Sequence, residues 1–317
     1  MGPSILAEGG GCRRLTDRRL LKTSPDVASC RVQKGWFPKL AEPSNCTNPC
    51  EKRQQFAPNR NFWCNRRRVL GRVPIYAARM TSGRSPQAQL ADIVWSALTT
   101  GHEPLALVLD GVRKYPADVA PFAAFAEGIS AQEATVGLYT LMQPSEMTHV
   151  IADKPLIKFP GLASEGALPT VQMAWPADLK IPESEKRAWE IVPLTCDDAP
   201  EMMELIEIAF PGFFRPGTCR MGPYSGIREH GKLIAMAGDR LVTDKLREIS
   251  GVCTHPEHTG RGLATQLILH KLREHRERSF GSFLHAAAAN TRAIPIYERL
   301  GFVRTRQILL QRVRRTD

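Results

Sequence analysis

The segment EISGVCTHPEHTGRGLATQLI, residues 248–268, decides the reading. Its first seven residues make a strand that Pro256 stops, because proline has no N–H to give a ladder. Gly260 and Gly262 bracket a tight turn. From Leu263 the run GLATQLILHKLREHRER (262–278) becomes an amphipathic helix, with Leu263, Leu267 and Ile268 inward and a charged end toward solvent. Strand, glycine turn and helix N-terminus together make an anion cradle, in which free N–H groups and the positive end of the helix dipole meet a phosphate or pyrophosphate. The glycines let the backbone approach closely, and Arg261 adds charge at the rim. Two nucleotide motifs are excluded. No Gly-Lys-Ser/Thr closes the turn, as a P-loop requires, and the third glycine of a dinucleotide fingerprint would fall at Thr265.

Outward from this segment the last 130 or so residues alternate strands and helices. WEIVPL (189–194) reads as a strand, with Thr195 and Asp197 as candidate caps of a helix through APEMMELIEIAF. SGIREHGKLIAMAGDRLV (225–242) reads as a hairpin turning at His230-Gly231. Beyond the central helix come a strand, SFLHAAA, a short helix, NTRAIPIYERL, and a closing strand, FVRTRQILLQRV.

Residues 87–185 read as mixed α/β. Leu90, Ile93, Val94, Ala97 and Leu98 recur at a helical period. ALVLDG (106–111) predicts a strand, FAAFAEG (122–128) a short helix, and TVGLYTL (135–141) and MTHVIAD (147–153) two strands. The polar run 176–187 predicts a linker.

Three separated motifs now agree in order and spacing. VCTHPEHTGRGLATQLI, ANTRAIPIYERLGF and the hairpin before them resemble the GNAT superfamily of acyl-coenzyme A N-acyltransferases over residues 189–317, with some similarity to the glycine N-acyltransferase-like subgroup. The resemblance implies an α/β (α+β) GNAT fold, a mixed and mostly antiparallel sheet with a splayed central strand pair flanked by helices. It further implies a smaller GNAT-like lobe before it, so that 1–86 is a tail, 87–185 the lobe and 186–317 the catalytic domain. The family usually carries Arg or Gln at the position of Thr259, so one side chain departs from the pattern.

What the resemblance implies for the site follows residue by residue. Backbone groups of Val252, Cys253 and Thr254 would bind the acyl carbonyl and pantetheine arm. The turn Thr259, Gly260, Arg261, Gly262, Leu263, Ala264 and Thr265 would hold the pyrophosphate, and Asn290 would contact the pantetheine. Tyr297 would protonate the departing thiolate, although a tyrosine between Ile294 and Leu300 also reads as core. Glu248 shares a strand face with Ser250, Val252 and Thr254 and is a candidate base through water; the competing reading is an ion-paired strand glutamate. Cys253, on the opposite face, reads as packing rather than as a nucleophile. His255 and His258 read as turn residues, and Tyr224 and Arg228 lie toward the acceptor side with no role assigned.

The chain has 317 residues and a formal charge of +11. All of that excess lies in residues 1–79, with 16 Lys+Arg against 5 Asp+Glu, and the remainder is neutral. Residues 1–79 carry no apolar period and predict disorder. Sharper readings each lack a part: a zinc site at Cys46, Cys50 and Cys64 has no second close pair, Arg66–Arg68 is a short basic run, and a transit peptide would need an amphipathic helix. The plainest expectation is that translation starts at Met80, where charge and cysteine usage change. The later cysteines, Cys196, Cys219 and Cys253, show no pairing pattern and suit a reducing, cytoplasmic setting.

The expected activity is direct transfer of an acetyl group from acetyl-CoA to a primary amine, with no metal and no membrane partner. The acceptor is a small-molecule amine, an amino acid or a protein N-terminus, and a homodimer is compatible. Neutral charge after residue 79 argues against a nucleic-acid partner for the domain itself. The alternatives are a non-catalytic CoA-binding regulatory module, an acyltransferase using a longer acyl-CoA, and a basic nucleic-acid-binding arm with a passenger domain.

Overall fold

The computed structural model describes residues 83–151, 156–183, 189–209 and 212–317. The zinc, basic-run and Met80 readings therefore lie outside the described residues. In chain order the elements are α1 (Pro86–Ala91), α2 (Ile93–Thr99), β1 (Leu107–Leu109), β2 (Val112–Lys114), β3 (Phe122–Phe125), α3 (Ala131–Leu141), β4 (Met147–Val150) and β5 (Leu162–Ala174). There follow β6 (Val192–Leu194), α4 (Ala199–Ala209), β7 (Tyr224–Glu229), β8 (Lys232–Val242), β9 (Leu246–Thr254), α5 (Leu263–Glu277), β10 (Gly281–Ala287), α6 (Ala293–Leu300) and β11 (Val303–Arg315).

These strands join one 11-stranded sheet in the order β1-β2-β3-β4-β11-β5-β10-β9-β8-β7-β6. Neighbours are antiparallel except for two pairs, β3 with β4 and β9 with β10. Each parallel pair is bridged by a helix, α3 and α5 respectively, as a parallel connection requires. The closing strand β11 is flanked by β4 and β5, so strands from before and after residue 186 share one ladder.

Two predicted elements exchange type. FAAFAEG holds strand β3, whose Phe122, Ala123 and Ala124 are all buried between β2 and β4; a short run apolar on both faces has no period to separate strand from helix. TVGLYTL lies in helix α3, because Ser130 and Glu133 form a capping box: Ser130 Oγ accepts the Glu133 N–H at 3.2 Å and the Glu133 carboxylate accepts the Ser130 N–H at 3.0 Å. Thr195 does cap, but it caps a 3₁₀ turn at Cys196–Asp198, and its carboxylate partner is Asp198 rather than Asp197. The long strand β5, with its interrupting Gly166 and Pro169, escaped the sequence reading altogether. The described part of the expected linker lies along α5, where Arg273 donates to the Pro182 carbonyl and Arg276 to that of Leu179.

Cys196 and Cys219 form a disulfide, with Cα atoms 5.3 Å apart. The argument from unpaired cysteines to a reducing compartment therefore falls. The bond ties the start of α4 to the turn at Thr218–Arg220. That turn is itself fastened to residues before β3, since Thr218 Oγ1 donates to the Val119 carbonyl at 2.7 Å and Arg220 pairs with Asp118. Non-reducing mass spectrometry is expected to find the Cys196–Cys219 linkage, and the Cys196→Ser/Cys219→Ser variant to lose about 3 kcal/mol of unfolding free energy in urea, from the closure entropy of a loop of this length. Two free thiols in the native protein would remove both expectations.

Candidate active site

The sheet opens where its second parallel pair ends. β9 and β10 are in register at only three positions, the last being Phe283 with Glu248. Beyond Glu248 the β10-facing edge of β9 has no strand partner, while its other edge stays bonded to β8. Gly251, at φ +60°, sits at the irregularity in the β8–β9 register and bends the strand away. A cavity of about 760 Å³ fills the resulting gap, lined from β9 by Ile249 through Thr254.

Three buried groups hold the apex. Glu248 is fully buried and accepts from Arg240 Nε at 3.0 Å, Arg240 Nη2 at 2.5 Å, His285 Nδ1 at 2.8 Å and the Leu241 N–H at 3.2 Å. The carboxylate fixes the His285 tautomer: Nδ1 carries the proton, and Nε2 accepts from Gln172 Nε2 at 3.1 Å. Burial pushes the Glu248 pKa up, but the Arg240 charge and then His285 outweigh it and bring it down to about 2. A carboxylate so held is a poor proton acceptor, so the sequence reading of Glu248 as base gives way to the ion-paired alternative.

At one end of the cavity is the predicted cradle. After β9 the chain makes a 3₁₀ turn, Pro256–His258, with His255 Nδ1 accepting the Glu257 N–H at 3.3 Å. Gly260 and Gly262 both take positive φ, +78° and +82°, and a Cβ at Gly260 would meet no atom within 4 Å. The N–H groups of Leu263, Ala264 and Thr265 stand in the first turn of α5, where a helix has no internal acceptor for them. α5 is anchored from behind by buried charge: Asp239 on β8 accepts from Lys271 at 3.1 Å and from His275 at 2.9 Å.

Arg261 is placed differently from the sequence expectation. Its guanidinium pairs with Glu229 at 2.6 Å and stacks on Trp189, 4.5 Å from the ring centroid. It clamps the turn to the β7–β8 hairpin, leaving only its backbone in the cradle. Thr259 Oγ1 donates to the Pro256 carbonyl at 3.0 Å, so this side chain also serves the turn. Asn290 Oδ1 accepts the Ala293 N–H at 3.0 Å and caps α6, from the cavity wall. Tyr297 lines the same wall, packs edge-on to Phe302, and has its pKa pushed up to about 12 by burial. Its hydroxyl makes no hydrogen bond among the described residues. Thr254 Oγ1 is buried without a partner.

Cys253 points into the cluster of Leu194, Met202 and Leu205, and burial raises its thiol to about 12. Tyr224 is buried beneath Gly238 and Gly251, and Arg228 is paired with Asp198 and Glu201; neither lines the cavity. The wall residues that sequence reasoning missed are Arg240, His285, Phe213, Leu168 and Leu310. They come from five separate segments, and no spacing in the sequence links them.

The model of the acetyltransferase (GNAT) family matches residues 186–302. A solved structure of a GNAT-family protein from Novosphingobium aromaticivorans is 34% identical, over 72% of this chain and 99% of that one, with a TM-score of 0.63. A GCN5-related N-acetyltransferase from Kribbella flavida is 17% identical over 72% of this chain and 94% of its own, with a TM-score of 0.48. A search of the curated proteins gives no match. The chain belongs to the GNAT acetyltransferase family. The chemistry of that family is acyl transfer from acyl-CoA to an amine. Acyl-CoA suits the residues present: an anion cradle at one end, an unpaired strand edge along the middle, and an orphaned Thr254 hydroxyl beside it. No helix among the described residues is long and apolar enough to cross a membrane.

Because Glu248 has its pKa lowered on folding, it stabilises above its unfolded value near 4.5, and this contribution is lost as pH falls toward 2. Glu248→Gln leaves Arg240 buried with a neutral partner, and is expected to cost about 3 kcal/mol at pH 7 and much less near pH 3, read by urea unfolding at the two pH values. Equal losses at both would show that the charge of the pair does not matter.

Proposed function

We propose that the protein transfers an acetyl group from acetyl-CoA to a primary amine, directly, with both substrates in the cavity at the β9–β10 splay. The observation that carries this reading is the opening itself, which puts an unpaired strand edge, a helix N-terminus and a protonated phenol around one space. Acetyl-CoA supplies the activated acyl group. The backbone of Val252, Cys253 and Thr254 hydrogen-bonds the donor's carbonyl and arm, and the turn 259–265 binds its pyrophosphate. The amine nitrogen bonds the carbonyl carbon as the carbon–sulfur bond breaks. Tyr297, neutral across the working pH range, gives its proton to the departing sulfur and recovers one that the amine releases to water. Direct transfer is supported by the state of Cys253, whose thiol is buried, protonated and turned into the core.

The lobe before residue 186 is read as a second copy of the same unit without a coenzyme site. Its order, hairpin β1–β2, then β3, α3 and parallel β4, repeats that of β7–β8, β9, α5 and β10. The connection from β3 to α3 has one glycine, Gly128, where the catalytic copy has two.

Calorimetric titration should give acetyl-CoA binding that Gly260→Asp/Gly262→Asp abolishes. Tyr297→Phe should lower kcat about 100-fold in a thiol-release assay while changing the acetyl-CoA KM by less than about threefold. Binding with turnover indifferent to Tyr297→Phe would remove the proton-donor role, and binding with no turnover at all would favour the regulatory CoA-binding module.

A further inference from the structure

The cavity passes through the sheet. On one side it is walled by Tyr297 and Leu300, which belong to the core between α5, α6 and the sheet. On the other it is walled by Leu168, Leu310 and Phe213, which belong to the core beneath α2. The cradle of α5 stands on the Tyr297 side, so the Phe213 side is left for the acceptor. Among the described residues the charged and imidazole groups of the wall are Arg240, His258, His285, Arg292 and Arg299, with no Asp or Glu. Glu248 lies behind the wall, fully buried and fully bonded. A polyamine or a lysine-rich segment would find no carboxylate to replace its water.

Arg240 is the cation of the acceptor side. Its guanidinium lies over the ring of Phe122, 5.0 Å from the centroid, and Phe122 is stacked on Phe213. A guanidinium has two edges that can each grip a carboxylate. One edge, Nε with Nη2, holds Glu248. The other edge ends in Nη1, which makes no hydrogen bond among the described residues, and the side chain opens onto the cavity. Beside it the wall is apolar: Leu168, Leu310 and Phe213.

Resting on the transferase reading above, we propose that the acceptor is a free α-amino acid with an apolar or aromatic side chain, its carboxylate taken by the outer edge of Arg240 and its side chain by Leu168, Leu310 and Phe213. Glu248 keeps the guanidinium in one orientation, so the carboxylate end is fixed and the amino group is turned toward the splay. An apolar amine without a carboxylate leaves that edge unsatisfied, and a protein N-terminus offers only an amide where the carboxylate should be.

The test is a set of matched acceptors given to the full-length protein with acetyl-CoA: phenylalanine, phenylalaninamide and phenethylamine, then leucine, leucinamide and isoamylamine, with spermidine beside them. Rates are compared at equal concentrations of neutral amine. The carboxylates are expected to exceed their amides and carboxylate-free amines by tenfold or more in kcat/KM, and phenylpropionate, which has no amino group, to compete with the amino acid. In Arg240→Gln/Glu248→Gln, which removes both charges of the pair together, the preference should fall below threefold whatever the absolute rates. Should that variant not fold, the wild-type ratios and the phenylpropionate competition still decide. Equal or better use of the carboxylate-free amines, or of spermidine, overturns the acceptor assignment and leaves the transferase intact. Acetyl-CoA binding with no turnover of any amine overturns the transferase reading, and this assignment with it.

Discussion

A fully buried carboxylate stands where two parallel strands stop pairing, and most of the site depends on how it is neutralised. Glu248 is the last residue of β9 in register with β10, and the strands separate beyond it. Burying an unpaired carboxylate would cost several kcal/mol. Arg240 from β8 and His285 from β10 meet that charge from the two flanking strands, so one ion cluster stitches three strands at the apex of the opening. Above that point the strands are free to diverge, and the edge of β9 is left facing the cavity instead of a neighbouring strand.

The second constraint is the orientation of α5. Its N-terminus is useful only if it points along the opened edge, and two contacts at different depths hold it there. Asp239 grips Lys271 and His275 on the buried face, and Arg261 holds the preceding turn to Glu229 and Trp189 on the hairpin. Arg261 shows how a motif residue can matter through its place in the fold: its charge is used inside the protein, to steady the turn that leads into α5.

The rest of the wall comes from elsewhere. α4 reaches the cavity wall at Ala209, and the turn that the Cys196–Cys219 bond attaches near its start is fastened to Asp118 and Val119. β5 and β11 contribute Leu168 and Leu310. The Phe213 side of the cavity wall is therefore drawn from segments before and after residue 186, whereas the Tyr297 side comes from one continuous stretch, β9 to α6.

What the sequence by itself determined is what a local pattern can carry. Glycines at 260 and 262 permit the positive φ they adopt, the period of three to four in Leu263, Leu267 and Ile268 commits a helix, and His230-Gly231 closes a hairpin. Each is a short-range steric or burial requirement, readable within one or two turns of chain. The signature Ser130-x-x-Glu133 is equally local, and its capping box outweighs the β-rich composition of TVGLYTL. Only the tertiary structure decided the rest. Phe122–Phe125 became a strand because β2 and β4 pair its edges while α2 and α3 cover its two faces, and Cys196 met Cys219 because α4 and a distant turn were brought together. Glu248 became an ion-paired carboxylate because Arg240 and His285 arrived beside it. A side chain's charge, exposure and partners depend on atoms that folding delivers from other parts of the chain, and no spacing along the sequence records them.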